Sequence, residues 1–241
     1  MTPPSSSGYW RSVPMPPRRS PSRPSRRCMT ASGSSAAESP GRMARPDEWG
    51  LGPAWGTPPG VPELPPDDGS GMVSIGVTLD VPEPYGSQLQ SLRATLGDAR
   101  GTSVPAHITL IPPMEIPATA WPIVREHIRS VANTTSPFTL QLRGTGTFMP
   151  TSPVVFIAVA RGISECQQLS EALRHGVLNQ QLAFPYHPHV TIAQELDEEV
   201  LERVYRESAD YDVSFMAHGF GVYFHTADEE WQLFDNVPFG P

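Results

Sequence analysis

The sequence predicts an α+β domain of two pseudo-symmetric lobes, with antiparallel or mixed sheets forming a central cleft and helices packed on the outside. Two observations carry this. Apolar runs of strand character alternate with segments of helical periodicity from Met72 onward. The order strand, helix, strand also occurs twice, and each time the second strand carries His-x-Thr. The copies are His107-Ile108-Thr109 and His189-Val190-Thr191, with histidines 82 positions apart. One such match among seven histidines arises by chance roughly 0.4 times. Two, both inside β-branched apolar runs, do not.

The elements follow in order. MVSIGVTLD is an alternating strand that ends at the turn residues of VPEPYG. Ser87 to Leu96 spaces Leu89, Leu92 and Leu96 as a helix does, and Gly97 closes it. AHITLI is the second strand, expected to stop at Pro112-Pro113 because proline lacks the donor a ladder needs. A helix over Ala118 to Ala132 puts Trp121, Val124 and Ile128 on one stripe and tolerates Pro122 in its first turn. FTLQLRGTGTF and VVFIAVA read as a hairpin whose glycines point to a bulge or a close backbone approach. Ile163 to Gln180 reads as one helix with Ile163, Cys166, Leu169, Leu173 and Val177 inward. HVTIA is entered through Pro185 and Pro188. An acidic helix over Asp197 to Ser208 turns Val200, Leu201 and Val204 inward, and its early acids suit the positive end of the helix dipole. DVSFMAHGFGVYF and EWQLFDNVPF close the domain as strands.

Composition divides the chain. Residues 1–71 hold 15 of the 29 prolines, with many Ser, Gly and Arg and few large aliphatics. Such a stretch cannot bury enough apolar surface to offset its ordering entropy, so it reads as a disordered tail before a domain spanning 72–241. Its Arg- and Ser-rich, acid-poor start resembles an organellar transit peptide, although its prolines oppose the amphipathic helix of such peptides. The chain has no lysine, a bias expected of a GC-rich genome. One expectation is therefore that the tail is upstream sequence read through, with the working chain starting near Met72.

The tail carries about two net positive charges and the domain ten net negative ones. So acidic a domain lacks the basic stripe that long nucleic acid requires, which leaves a short RNA end or a small nucleotide. Cys28 and Cys166 support neither a disulfide framework nor a zinc cluster, so the expected compartment is the reducing cytoplasm. Neither a secretory apolar region nor a run able to span a bilayer is present.

Strand side chains alternate between faces, so His and Thr two residues apart share a face while Ile108, Leu110, Val190 and Ile192 pack on the other. Two such strands side by side offer two imidazoles for proton transfer and two hydroxyl donors, a kit for breaking a phosphodiester without a metal or other cofactor. The reading makes His107 and His189 catalytic, with His189 as base and His107 as acid, and Thr109 and Thr191 the binders of the non-bridging oxygens.

At HITLIPP and YHPHVTIAQ the chain resembles the two-histidine phosphoesterase superfamily, in its 2′-5′ RNA ligase and cyclic phosphodiesterase branch. The resemblance runs from about Met72 to the C-terminus. It implies a bilobal α+β fold and phosphoester chemistry on RNA-derived 2′,3′-cyclic phosphates or 2′-5′ linkages, with His107, Thr109, His189 and Thr191 as the motif residues. Many members have Arg shortly after the second motif, where this chain has Ala193-Gln194. Losing that fixed cation weakens anchoring of a dianionic phosphate.

His187, Tyr186, Phe148 and Arg143 are candidate cleft residues. His187 could join His107 in a three-imidazole metal site, but no carboxylate or Cys completes it, and no metal is expected. Phe148 or Phe184 could stack a base or pack in the core. Arg143 could supply the missing phosphate cation or be an exposed strand residue. The expected partner is a nucleotide or RNA-end substrate, with no membrane and no stable protein partner, and the chain is expected to be a monomer. The competing reading is a nucleotide- or RNA-end-binding module that keeps the cleft without turnover.

Overall fold

The computed structural model describes residues 70–98, 101, 103–225 and 231–241. The expected disordered tail lies outside them apart from Ser70 and Gly71. The described residues form strands β1 (Met72–Asp80), β2 (His107–Pro117), β3 (Phe138–Thr147), β4 (Val154–Arg161), β5 (His189–Gln194), β6 (Asp212–Ala217), β7 (Gly219–His225) and β8 (Trp231–Pro238). The helices are α1 (Tyr85–Thr95), α2 (Trp121–Asn133), α3 (Ile163–Leu173) and α4 (Glu198–Glu207).

Two four-stranded sheets result, in the orders β2-β1-β7-β8 and β5-β4-β3-β6, with every pairing antiparallel. The fold is the expected α+β arrangement of two related lobes. Each motif strand is the edge of its own sheet, and the two edges lie against each other. Beside each runs an apolar strand with a continuous buried run, residues 75–79 in β1 and 155–157 in β4, which suits a position covered on both faces. The helices cross over: α1 packs against β5 of the second sheet, and α3 against β2 of the first. Ser170 on α3 secures that crossing, its buried hydroxyl donating to the Leu110 carbonyl at 2.8 Å on the open edge of β2.

Four details depart from the sequence reading. β2 does not stop at Pro112-Pro113 but runs to Pro117. The prolines fall where the β1 pairing slips, between Val77↔Ile111 and Ile75↔Met114. A strand with a ladder on one side only can host residues without a donor at such an irregularity. α3 ends at Leu173 instead of Gln180, because Gly176 takes a left-handed φ of +72° and a single 3₁₀ turn follows at Gly176–Leu178. Leu178 is thereby fully buried, while Val177 and Ile163, assigned to the inner stripe, are 44% and 46% exposed. The run DVSFMAHGFGVYF is two strands, since the chain leaves the second sheet at Ala217 and enters the first at Gly219. The first lobe is consequently discontinuous, with β1 and β2 from one end of the domain and β7 and β8 from the other.

Other expectations agree. Trp121, Val124 and Ile128 form the buried stripe of α2, and Leu201 and Val204 that of α4. The β3/β4 hairpin has register slips between Gln141 and Thr145, at its glycine-containing segment. No helix among the described residues is long and apolar enough to cross a membrane.

Candidate active site

Both motif strands show the same alternation. His107 and Thr109 are half-buried on one face of β2 while Ile108 and Leu110 are fully buried on the other. His189, Thr191, Val190 and Ile192 repeat the pattern on β5. The pairings repeat as well. Opposite His107, Ile108 and Thr109 stand Asp80, Leu79 and Thr78. Opposite His189, Val190 and Thr191 stand Ala158, Ile157 and Phe156. Immediately after each Thr the ladder slips by one residue, so Ile111 pairs with Val77 and Ala193 with Val155. These matched bulges bury two successive residues, Leu110-Ile111 and Ile192-Ala193. They return Pro112 and Gln194 to the half-buried motif face.

Each imidazole is oriented by the carbonyl two residues upstream. Nδ1 of His107 lies 2.6 Å from the Pro105 oxygen, and Nδ1 of His189 lies 2.7 Å from the His187 oxygen. A carbonyl only accepts, so Nδ1 carries the proton in the neutral ring and Nε2 holds the free lone pair. Each ring thus has one nitrogen committed to the backbone and one available for proton transfer.

The motifs are joined across the lobes by Tyr186, three residues before His189, whose hydroxyl donates to the Thr109 carbonyl at 2.9 Å. A hydrogen bond of this kind contributes about 1 kcal/mol. It ties the entry of β5 to the open edge of β2. Burial holds the Tyr186 phenol well above its ordinary pKa, so it remains a donor. Tyr186, a candidate cleft residue from the sequence, is therefore a clasp between the motif strands.

The surroundings of the two rings differ. His107 stacks on Trp231 with centroids 4.8 Å apart and planes at 30°. His189 lies between Phe148, edge-on at 4.9 Å, and Phe156 at 5.0 Å. Phe156 fits because residue 146 is glycine, since a Cβ there would collide with the phenyl ring. His187 is exposed on one side, and its ring meets Phe156 and Phe148 edge-on while lying parallel to His189 at 6.3 Å.

Burial lowers the pKa of His107, opposed by the bond to the Pro105 carbonyl and the nearby Asp80 carboxylate, with the Arg93 guanidinium lowering it further. Burial also pushes His189 down to about 4, assisted by positive charge on His187 and His107 and opposed by the His187 carbonyl. Partial burial lowers His187. The effect of His107 on His189 places both rings in one electrostatic environment.

Arg143 is exposed and forms an ion pair with Asp212 at 3.6 Å. That contact draws it toward β6, on the side of β3 remote from β5. Phe148 packs on Phe156 and His189, whereas Phe184 is 67% exposed. Among the described residues no three His, Cys, Asp or Glu side chains gather as metal ligands. Burial pushes the Cys166 thiol up to about 12, leaving it inert as a nucleophile. Sequence reasoning missed Trp231, Asp80, Tyr223 and Phe156. Asp80 gave a faint signal as the acid ending an otherwise apolar strand; the others look like ordinary strand aromatics.

Comparison with known proteins gives the family and the fold. The profile of the 2′-5′ RNA ligase superfamily matches residues 81–229. A candidate phosphoesterase of Bacillus cytotoxicus is 30% identical over 141 residues, covering 57% of this chain and 80% of the relative. A candidate phosphoesterase of Oceanobacillus iheyensis is 24% identical over 172 residues, covering 70% of this chain and 99% of the relative. Among solved structures, Escherichia coli LigT complexed with 3′-AMP superposes with a TM-score of 0.51 at 17% identity, covering 70% of this chain and 99% of LigT.

Proposed function

Because this chain belongs to the 2′-5′ RNA ligase superfamily, a family of phosphoesterase-type enzymes, we propose that it acts on RNA-derived 2′,3′-cyclic phosphates or 2′-5′ linkages. It does so as a cytoplasmic monomer, without a metal, by paired-histidine acid/base catalysis. The observation that carries the reading is the Tyr186–Thr109 hydrogen bond. It clasps together two strands that each present an imidazole with Nδ1 already occupied. The 3′-AMP bound by LigT, which shares the fold, supports a ligand of nucleotide size.

For a cyclic phosphate the steps balance as follows. His189, kept neutral by its apolar surroundings, takes a proton from water through Nε2 as the water oxygen bonds to phosphorus. The bond from phosphorus to one sugar oxygen breaks, and His107, protonated at Nε2, gives its proton to that oxygen. Exchange with solvent restores both rings. The Thr109 and Thr191 hydroxyls donate to the non-bridging oxygens, where charge accumulates. Ligation runs in the same direction, with a sugar hydroxyl in place of water as the nucleophile and the histidines keeping their roles. Cleavage of the resulting 2′-5′ linkage back to the cyclic phosphate is the reverse, in which the histidines exchange roles.

The test is turnover of 2′,3′-cyclic AMP in EDTA. We expect activity in the parent and a loss of about 10²–10⁴-fold for His107→Ala and for His189→Ala. Full activity in either variant overturns the mechanism. Saturable binding without turnover in the parent establishes the binding-module reading instead.

A further inference from the structure

We infer that Asp80 is the positioning residue that divides the labour between the two histidines, a fixed anion that keeps the proton on His107 while His189 accepts one. The inference rests on the proposed phosphoesterase reading and adds what makes the two similar motifs unequal.

The matched registers isolate the difference. Asp80 on β1 stands opposite His107, and Ala158 on β4 occupies the equivalent place opposite His189. Residues paired across an antiparallel ladder point to the same face with Cα atoms about 4.5–5.5 Å apart. The same position thus puts a carboxylate beside one imidazole and a methyl group beside the other.

The carboxylate is held in place. Thr78, fully buried, donates its hydroxyl to Oδ1 at 2.7 Å, and Tyr223, 4% exposed, donates to Oδ2 at 2.8 Å. Two neutral donors, one to each oxygen, fix the orientation of the carboxylate. Burial followed by the Asp80 charge raises the pKa of Tyr223, so this donor stays protonated. Residue 221, opposite Thr78, is glycine, and a Cβ there would lie 2.7 Å from Asp80 Oδ2 and 2.7 Å from the Tyr223 ring. β1 and β7 together therefore leave a carboxylate-sized space and furnish its two donors.

Other charges facing His107 do not replace it. Arg93, on α1, acts in the opposite sense, but its guanidinium is engaged by Asp98 in a buried pair at 2.7 Å. From β5 comes His189, a second potential cation. β8 contributes the uncharged Trp231, and β7 the neutral Tyr223 phenol. With a phosphate between the rings, its negative charge favours imidazolium on both sides. Asp80 makes His107 the ring that retains the proton.

The experiment is NMR titration of both imidazoles in the parent, Asp80→Asn and Ala158→Asp, alongside pH–rate profiles with 2′,3′-cyclic AMP. Asp80→Asn keeps the size of the side chain but removes its charge. We expect it to lower the His107 pKa by about one pH unit, leave that of His189 nearly in place, and move the alkaline limb of the rate profile to lower pH. Ala158→Asp is expected to raise His189 and move the acid limb upward. An unchanged His107 titration in a folded Asp80→Asn variant overturns the inference. If that variant fails to fold, an unmoved His189 in Ala158→Asp overturns it. The titrations need no turnover, so a parent inactive on cyclic nucleotides defeats the proposed function while leaving the role of Asp80 separately decided.

Discussion

His107 lies against one indole, with a carboxylate opposite it in the neighbouring strand, while His189 lies between two phenyl rings with a second imidazole behind them. The backbone around both is nearly the same: an edge strand, a carbonyl two residues upstream holding Nδ1, a half-buried Thr, and a bulge after it. Repetition of the backbone brings two equivalent groups together; divergence of the neighbours gives those groups different surroundings. A reaction needing an acid and a base at once requires both levels.

The largest effect that could break this comparison concerns the threonines. If the two motif faces are equivalent toward phosphate, Thr109→Val and Thr191→Val each lower kcat by about 10²-fold or more, as loss of one donor to a developing oxyanion does. Steady-state kinetics would check this, and a large loss in one lobe beside near-silence in the other would show that the faces are not equivalent. A smaller effect concerns acid stability. The folded-state pKa of His189 is about 4 against 6.5 for the free side chain, so the unfolded chain takes up the proton first. The contribution of this group to stability is complete above about pH 6.5 and is lost as the pH falls toward about 4. Thermal melts over that range should show the decline, and His189→Leu should flatten part of it. The smallest effect concerns Gln194, which the bulge returns to the motif face. Gln194→Arg adds a cation there and should lower KM for a phosphate ligand by several-fold, with little change in kcat. The matching variant at Pro112 in the other lobe measures whether that gain belongs to the second motif alone.

The faces of the motif strands were legible because alternation fixes which side chains share a face, and the burial of Ile108, Leu110, Val190 and Ile192 follows it. The family resemblance rested on the same residues. What the chain concealed was pairing. No local pattern announces that Asp80 lies opposite His107, or that Trp231 stacks on a ring 124 positions earlier. The bulges also escaped, since one extra residue in a ladder leaves an apolar run looking continuous. Pro112-Pro113 misled for a related reason: proline forbids a central strand, and nothing local marked β2 as an edge. The β6–β7 run hid a change of sheet at His218, because strand character continues on both sides of it. Arg143, singled out for its charge, is held by Asp212 across a register that only the fold reveals.

The discontinuity of the first lobe bears on how the protein is made. As the polypeptide leaves the ribosome, every strand of the β5-β4-β3-β6 sheet has emerged by Ala217. At that moment β1 and β2 still await β7 and β8, so the buried flank of β1 has no neighbour on that side, and the indole partner of His107 has yet to be synthesised. A nascent chain cut off there would retain the complete second sheet while leaving a raw strand edge open to unwanted pairing. His107, encoded before its partner histidine, is the half of the candidate site completed last.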